Sequence, residues 1–324
     1  MPETATVTLF TTGGTISAVG GDAAGRLTGA QILAATSTSA DVAVQVCDFR
    51  RLPSASLTFE DVAELADRIE QESAAGAGVV VVQGTDTIEE TAFLLDLLCR
   101  SDTPVVVTGA MRRPDVPGAD GPANLAAAIA VAADPDCAGL GVLVVFADEI
   151  HAARHVRKTH TTSIATFASP TVGALGLVVE GEPRILLRPT GPTLPQQLRL
   201  RRQVRVALVS LALGDRGELL EAVDGRFDGL VVVGFGAGHV PSWLVEPLGD
   251  LAGRMPVVLA SRTGSGQLLT HTYRGPGSES DLHAHGLISA GYLDPPKARV
   301  LLHALLADEA DHSRVVDTFD ALAR

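Results

Sequence analysis

The chain has 324 residues, of which 46% are hydrophobic and 19% charged, enough for about two domains with buried cores. No apolar run reaches the roughly 18 residues that a membrane span needs, so no membrane partner is expected. The formal charge of −13, from 25 basic and 38 acidic residues, and the 4% aromatic content argue against a nucleic-acid binder, which needs a basic face or stacking platforms. The first residues carry no basic segment followed by an apolar stretch, so a cytoplasmic location is expected.

In chain order, Ala5–Phe10 and Asp41–Cys47 read as strands. Thr58 then caps a helix that runs to about Ala74, with Val62, Leu65, Ala66 and Ile69 on one face. Gly78–Gln83 contains four consecutive valines, as expected of a strand buried on both faces. A helix from Ile88 to Cys99, a strand at Pro104–Thr108, an Ala-rich helix at Gly121–Ala133 and a strand at Gly141–Phe146 follow. This alternation predicts an α/β fold with a larger N-terminal domain built on an open, mostly parallel sheet.

From Arg184 to Gln203 the chain is rich in Pro and Arg and has no buried-strand pattern, so it reads as a linker. The domains are therefore set at 1–185 and 204–324, with residues 186–203 between them. A second series follows: strand Val204–Leu211, helix Glu218–Val223, strand Gly229–Val233, a helix after Pro241, strand Pro256–Ala260, and helices at Pro296–Leu306 and His312–Leu322. It predicts a smaller C-terminal α/β domain.

Cys47, Cys99 and Cys137 are odd in number and far apart, which suits buried thiols better than a disulfide framework. His151, His155 and His160 share a segment, but no Cys or carboxylate pattern completes a metal site, and no metal is expected. Only Lys158 and Lys297 are lysine; every other basic residue is arginine. Lysine can lose its proton and act as a base, which arginine cannot.

Ligands of open α/β sheets bind beyond the carboxyl ends of the strands. Three polar turns fall at predicted strand ends: Thr11-Thr12-Gly13-Gly14-Thr15-Ile16, Gly84-Thr85-Asp86-Thr87 and Thr108-Gly109-Ala110-Met111-Arg112. Each alone is ordinary turn chemistry, and Asp86 alone is an ordinary first-turn acid. Lys158 alone is an ordinary loop cation. Together, a threonine, Asp86 and Lys158 make a hydroxyl nucleophile with a neighbouring base and a carboxylate to orient it.

Thr12-Gly13-Gly14-Thr15-Ile16 and Gly84-Thr85-Asp86-Thr87-Ile88-Glu89-Glu90-Thr91-Ala92 resemble the two signature motifs of the bacterial-type L-asparaginases. Ala119-Asp120-Gly121-Pro122-Ala123-Asn124-Leu125, Lys158-Thr159, Thr161-Thr162, Gly291-Tyr292-Leu293 and Pro296-Lys297-Ala298-Arg299 also fit. The likeness spans nearly the whole chain, and it makes Lys297 structural. It implies hydrolysis of L-asparagine, with L-glutamine as a second candidate substrate, without a cofactor. It also implies a homo-oligomer, dimer or tetramer, with sites between subunits. By position, Thr12 resembles the nucleophile, and Thr85, Asp86 and Lys158 the triad that activates hydroxyl or water. Ser54 resembles the residue that holds the substrate α-carboxylate, and Asp86 the one that holds its α-ammonium. Thr85 is also expected at the substrate, with a backbone N–H near it at the oxyanion. Glu279 resembles the acid that reaches a neighbouring subunit's site, with Tyr273 as its rival.

Three positions depart from that pattern. Residues 17–30 hold no tyrosine, and Asp22 stands where relatives carry one in a lid. Ala55 replaces a frequent Gln, and His239 replaces a frequent Asn. These departures leave two other readings open: an amidohydrolase with another amide substrate, and an amino-acid sensor that has lost turnover.

Overall fold

Valine-rich runs become the buried strands of the first half. In the computed structural model, which describes residues 4–20, 27–37, 41–189 and 197–322, five parallel strands come first. These are β1 (Ala5–Thr11), β2 (Val42–Asp48), β3 (Gly78–Val82), β4 (Val105–Thr108) and β5 (Val142–Phe146). They alternate with α1 (Gly29–Ala34), α2 (Phe59–Ala74), α3 (Ile88–Leu98) and α4 (Gly121–Ala133). β3 and β5 are buried at every position because helices cover both faces. Val7, Leu9, Val80, Val82 and Val106 pack with Ile32 of α1 and Leu125, Ala128 and Ile129 of α4. The alternate residues of the strands are buried toward α2 and α3, which pack against each other.

The helix starts follow local chemistry. Thr58 caps α2 through a reciprocal box: its hydroxyl accepts the Asp61 N–H at 3.1 Å, and its own N–H donates to the Asp61 carboxylate at 3.1 Å. Thr28 and Gln31 form the same box on α1.

Among the described residues the sheet continues as β6 (Glu149–Ala152), β9 (Gly176–Val179) and β10 (Glu182–Ile185), each antiparallel to its neighbours. Its order is β10-β9-β6-β5-β4-β3-β1-β2. A separate two-stranded ladder pairs β7 (Arg157–Lys158) with β8 (Phe167–Ala168). The antiparallel edge corrects part of the sequence reading. Arg184 and Ile185 lie in a strand, not in a linker, because β10 is a half-exposed edge strand and needs no continuous apolar run. β5 and β6 are joined by Ala147-Asp148, both at positive φ (49° and 63°), as a two-residue turn between right-twisted strands requires.

Residues 1–189 form one compact unit and residues 190–324 a second. The second holds β11 (Val206–Ser210), α5 (Glu218–Glu221), β12 (Gly229–Gly234), α6 (Val245–Ala252), β13 (Val257–Ser261), α7 (Glu279–Ala284), β14 (Ile288–Ser289), α8 (Pro295–Ala307) and α9 (His312–Leu322). β11 to β14 form a parallel sheet in sequence order, with α8 laid across its first three strands. Asp294 caps α8 by accepting the Lys297 N–H, and its other oxygen takes the buried Lys297 ammonium at 2.9 Å. No helix among the described residues is long and apolar enough to cross a membrane.

Candidate active site

Strand order reverses between β1 and β3: β1 has β2 on one side and β3 on the other, and their connections leave toward opposite faces. That reversal opens a crevice at the carboxyl ends of the two strands. Thr12 follows β1 and Thr85 follows β3, so the topology sets both threonines at its rim.

Thr12 is 1% exposed, and its backbone is held from both sides. Its N–H donates to the Val82 carbonyl at 3.0 Å, and its carbonyl accepts the Leu52 N–H at 2.8 Å. Among the described residues its hydroxyl makes only a long bond, 3.4 Å, to the Val82 carbonyl. Next door, Asp48 takes the Thr11 hydroxyl at 2.7 Å and the Gly29 N–H at 2.9 Å, which ties β1, β2 and the start of α1 together. The Thr11 hydroxyl, then the Gly29 N–H, hold the Asp48 carboxyl below the usual range; burial opposes them and Arg51 assists.

Lys158 brings the second signature and the distant loop together. Its Nζ lies 2.9 Å from the Thr85 hydroxyl and 3.0 Å from an Asp86 carboxylate oxygen. The lysine side chain is 17% exposed and the Asp86 side chain 66%, so the carboxylate faces outward while the amine is sheltered. An unprotonated Nζ at that distance can take the hydroxyl proton, and Asp86 then stabilises the ammonium. Ser54 joins the group: its hydroxyl accepts the Asp86 N–H at 3.2 Å, and its carbonyl accepts the Thr87 hydroxyl at 3.0 Å.

Thr12, Ser54, Thr85, Asp86 and Lys158 thus gather around the β1 and β3 exits of the first unit. Glu279 belongs to the second unit. There its fully buried carboxylate accepts the Thr272 and Tyr273 N–H groups at 2.8 and 2.6 Å, and His239 Nε2 lies 3.2 Å away. Burial pushes this carboxyl up, but the backbone N–H donors and His239 together leave it below the usual range. The Tyr273 ring meets His239 edge-on at 4.9 Å. Asp22 lies outside the described residues.

Besides Asp48, sequence reasoning missed two supports of the site. Glu89 of α3 accepts the Lys158 N–H at 3.0 Å, across 69 positions of sequence. Asn124 donates to the Gly109 carbonyl and accepts the Ala147 N–H, each at 3.0 Å, linking the turns after β4 and β5. Both residues stood in quoted motifs, but no spacing rule gave their partners.

The N-terminal asparaginase domain profile matches residues 6–190, and the glutaminase/asparaginase C-terminal domain profile matches residues 205–319. The chain is 34% identical to an L-asparaginase of Bacillus licheniformis over 93% of its own length and 95% of that protein. It is 33% identical to L-asparaginase 2 of Escherichia coli strain K12, over 97% and 92%. A glutaminase-asparaginase of Pseudomonas fluorescens biotype A is 30% identical, over 97% and 90%. Two profiles that together cover most of the chain, and relatives matched nearly end to end, assign this protein to the bacterial-type asparaginase family of amidohydrolases.

Proposed function

We propose that the chain hydrolyses L-asparagine to L-aspartate and ammonia through a covalent threonine ester. The observation that carries this reading is the Lys158 amine on both Thr85 and Asp86. In the first step the Thr12 oxygen bonds to the amide carbon, and its proton passes to the Thr85–Lys158–Asp86 group. The tetrahedral oxyanion rests on a backbone N–H near Thr85, where one such donor is worth roughly 3–4 kcal/mol. Collapse breaks the C–N bond, and the returned proton leaves with ammonia. Water, deprotonated by the same amine, then attacks the ester and frees Thr12. Ser54 holds the α-carboxylate and Asp86 the α-ammonium. The subunits are proposed to assemble as dimers or tetramers, with Glu279 serving a neighbouring copy's site; light scattering reads the assembly directly.

Ammonia release by Thr12→Ala and Lys158→Met, beside wild type, tests the mechanism. Loss of several orders of magnitude in each, with circular dichroism unchanged, is expected. Near-normal turnover by Thr12→Ala would sink it. Ala55 and His239 favour a second reading, hydrolysis of another amide. A panel that includes glutamine decides between the two, since a wide preference for asparagine removes the second.

A further inference from the structure

We infer that His160 is a positioning residue for Lys158, closing the 159–166 loop through an unprotonated Nδ1. The inference rests on the reading of Lys158 as the catalytic base.

The main chain of Lys158 has few anchors. β7 is two residues long and, among the described residues, pairs only with β8, Lys158 opposite Phe167. Beyond that ladder, Glu89 takes the Lys158 N–H. So short an isolated hairpin is marginal by itself, and the loop that joins its strands decides whether they stay paired.

That loop is folded around one imidazole. His160 Nδ1 lies 3.0 Å from the Thr162 nitrogen and 2.9 Å from the Ser163 nitrogen, and both N–H groups point at it. A backbone N–H can only donate, so Nδ1 must present its lone pair and the ring proton must sit on Nε2. The base of the loop is tied by Thr166, which is fully buried. The Thr166 hydroxyl donates to the His160 carbonyl and accepts the His160 N–H at 3.2 Å. The Thr166 carbonyl accepts the Thr159 N–H at 2.7 Å and the Thr159 hydroxyl at 3.0 Å. The chain from imidazole to catalytic amine is therefore short: Nδ1 folds Thr162 and Ser163 back, His160 and Thr166 lock, and Thr159 and Lys158 are held in register with β8. α3, which packs against β7, carries Glu89, Glu90 and Asp96; β7 itself carries Arg157 and Lys158; β8 carries no charge.

The test compares wild type, His160→Ala and His160→Asn, with Lys158→Met as the reference for a lost base. Asparagine turnover and amide exchange at Thr162 and Ser163 are measured on the full-length protein. His160→Ala is expected to lower kcat about tenfold or more with little change in KM, because a small misplacement of a catalytic group is costly. It is also expected to speed exchange at both amides. His160→Asn is expected to restore both readouts, since an Asn oxygen accepts backbone N–H groups in the same way. The imidazole 15N spectrum of wild type should show Nδ1 unprotonated. Wild-type kcat in His160→Ala beside an inactive Lys158→Met overturns the inference alone. Activity surviving in Lys158→Met overturns the base assignment and takes the inference with it.

Discussion

Gly14 and Gly84 lie backbone against backbone: a Cβ on Gly14 would fall 2.2 Å from the Gly84 nitrogen. Gly14 also sits at φ 95°, a conformation that L side chains rarely adopt. The two signature turns therefore touch through glycines that leave no room for a side chain between them. Gly14→Ala must push the β1 and β3 exits apart. We expect it to cost at least about 2 kcal/mol and to lower kcat. Gly76→Ala is the control, because Gly76 has a similar φ of 85° and open space around it. That variant should cost only backbone strain, about 1 kcal/mol. Denaturant unfolding compares them, and equal costs would contradict the contact.

Lys158→Arg separates charge from basicity. A guanidinium can keep a bond to Asp86 but cannot give up a proton near neutral pH. Ammonia release should fall about a thousandfold or more, with the fold retained. Near-normal ammonia release by Lys158→Arg would show that charge alone suffices.

Ser54→Ala is expected to raise KM more than it lowers kcat. The Ser54 oxygen already accepts the Asp86 N–H, which leaves the hydroxyl proton to meet an anionic substrate oxygen. Loss of one such bond is worth about 1.5 kcal/mol, or roughly tenfold in KM. Steady-state kinetics read the split, and an unchanged KM would remove Ser54 from the binding site.

Asp48 gives a stability prediction with a definite sign. Its folded carboxyl titrates below the unfolded value, so it stabilises the protein above about pH 3.9. That contribution disappears as pH falls through the folded value. Asp48→Asn should be less stable than wild type by about 1 kcal/mol at neutral pH, with the gap closing below about pH 4. Urea melts at several pH values would expose a gap that persists in acid.

Ala147→Gly should stabilise the protein. Ala147 sits at φ 49° in the β5–β6 turn, where a Cβ costs about 1–2 kcal/mol. The greater freedom of glycine in the unfolded chain returns part of this, leaving a gain of about 0.5 kcal/mol. A lower melting temperature would show that the turn is not strained.

The parallel core was readable because burial on both faces leaves continuous valine runs, as in β3, and because Thr58 and Asp61 mark a helix start by their spacing. α4 falls at the predicted Gly121–Ala133. The antiparallel edge was not readable. β9 and β10 alternate in exposure, and Pro183 sits within the second of them, so β9 gave no strand signal and the end of β10, Arg184 and Ile185, read as linker. α1 and α7 span six residues each, too few for a helical period to emerge. The site was legible where chemistry repeats at strand ends, at Thr12 and Thr85. Lys158 stood out by the scarcity of lysine, not by any local pattern. Glu89 and Asp48 were hidden because their partners, Lys158 and Thr11, are brought to them only by tertiary folding.

The ladder between β1 and β3 places Thr11 directly opposite Val82, one residue before Thr12 and three before Thr85. From there the chain departs to α1 on one side of the sheet and to α3 on the other. Insertions or deletions in either excursion can accumulate over evolution without changing the distance between the two hydroxyls. The two threonines are thus insulated from the segments around them, which leaves those segments free to diverge.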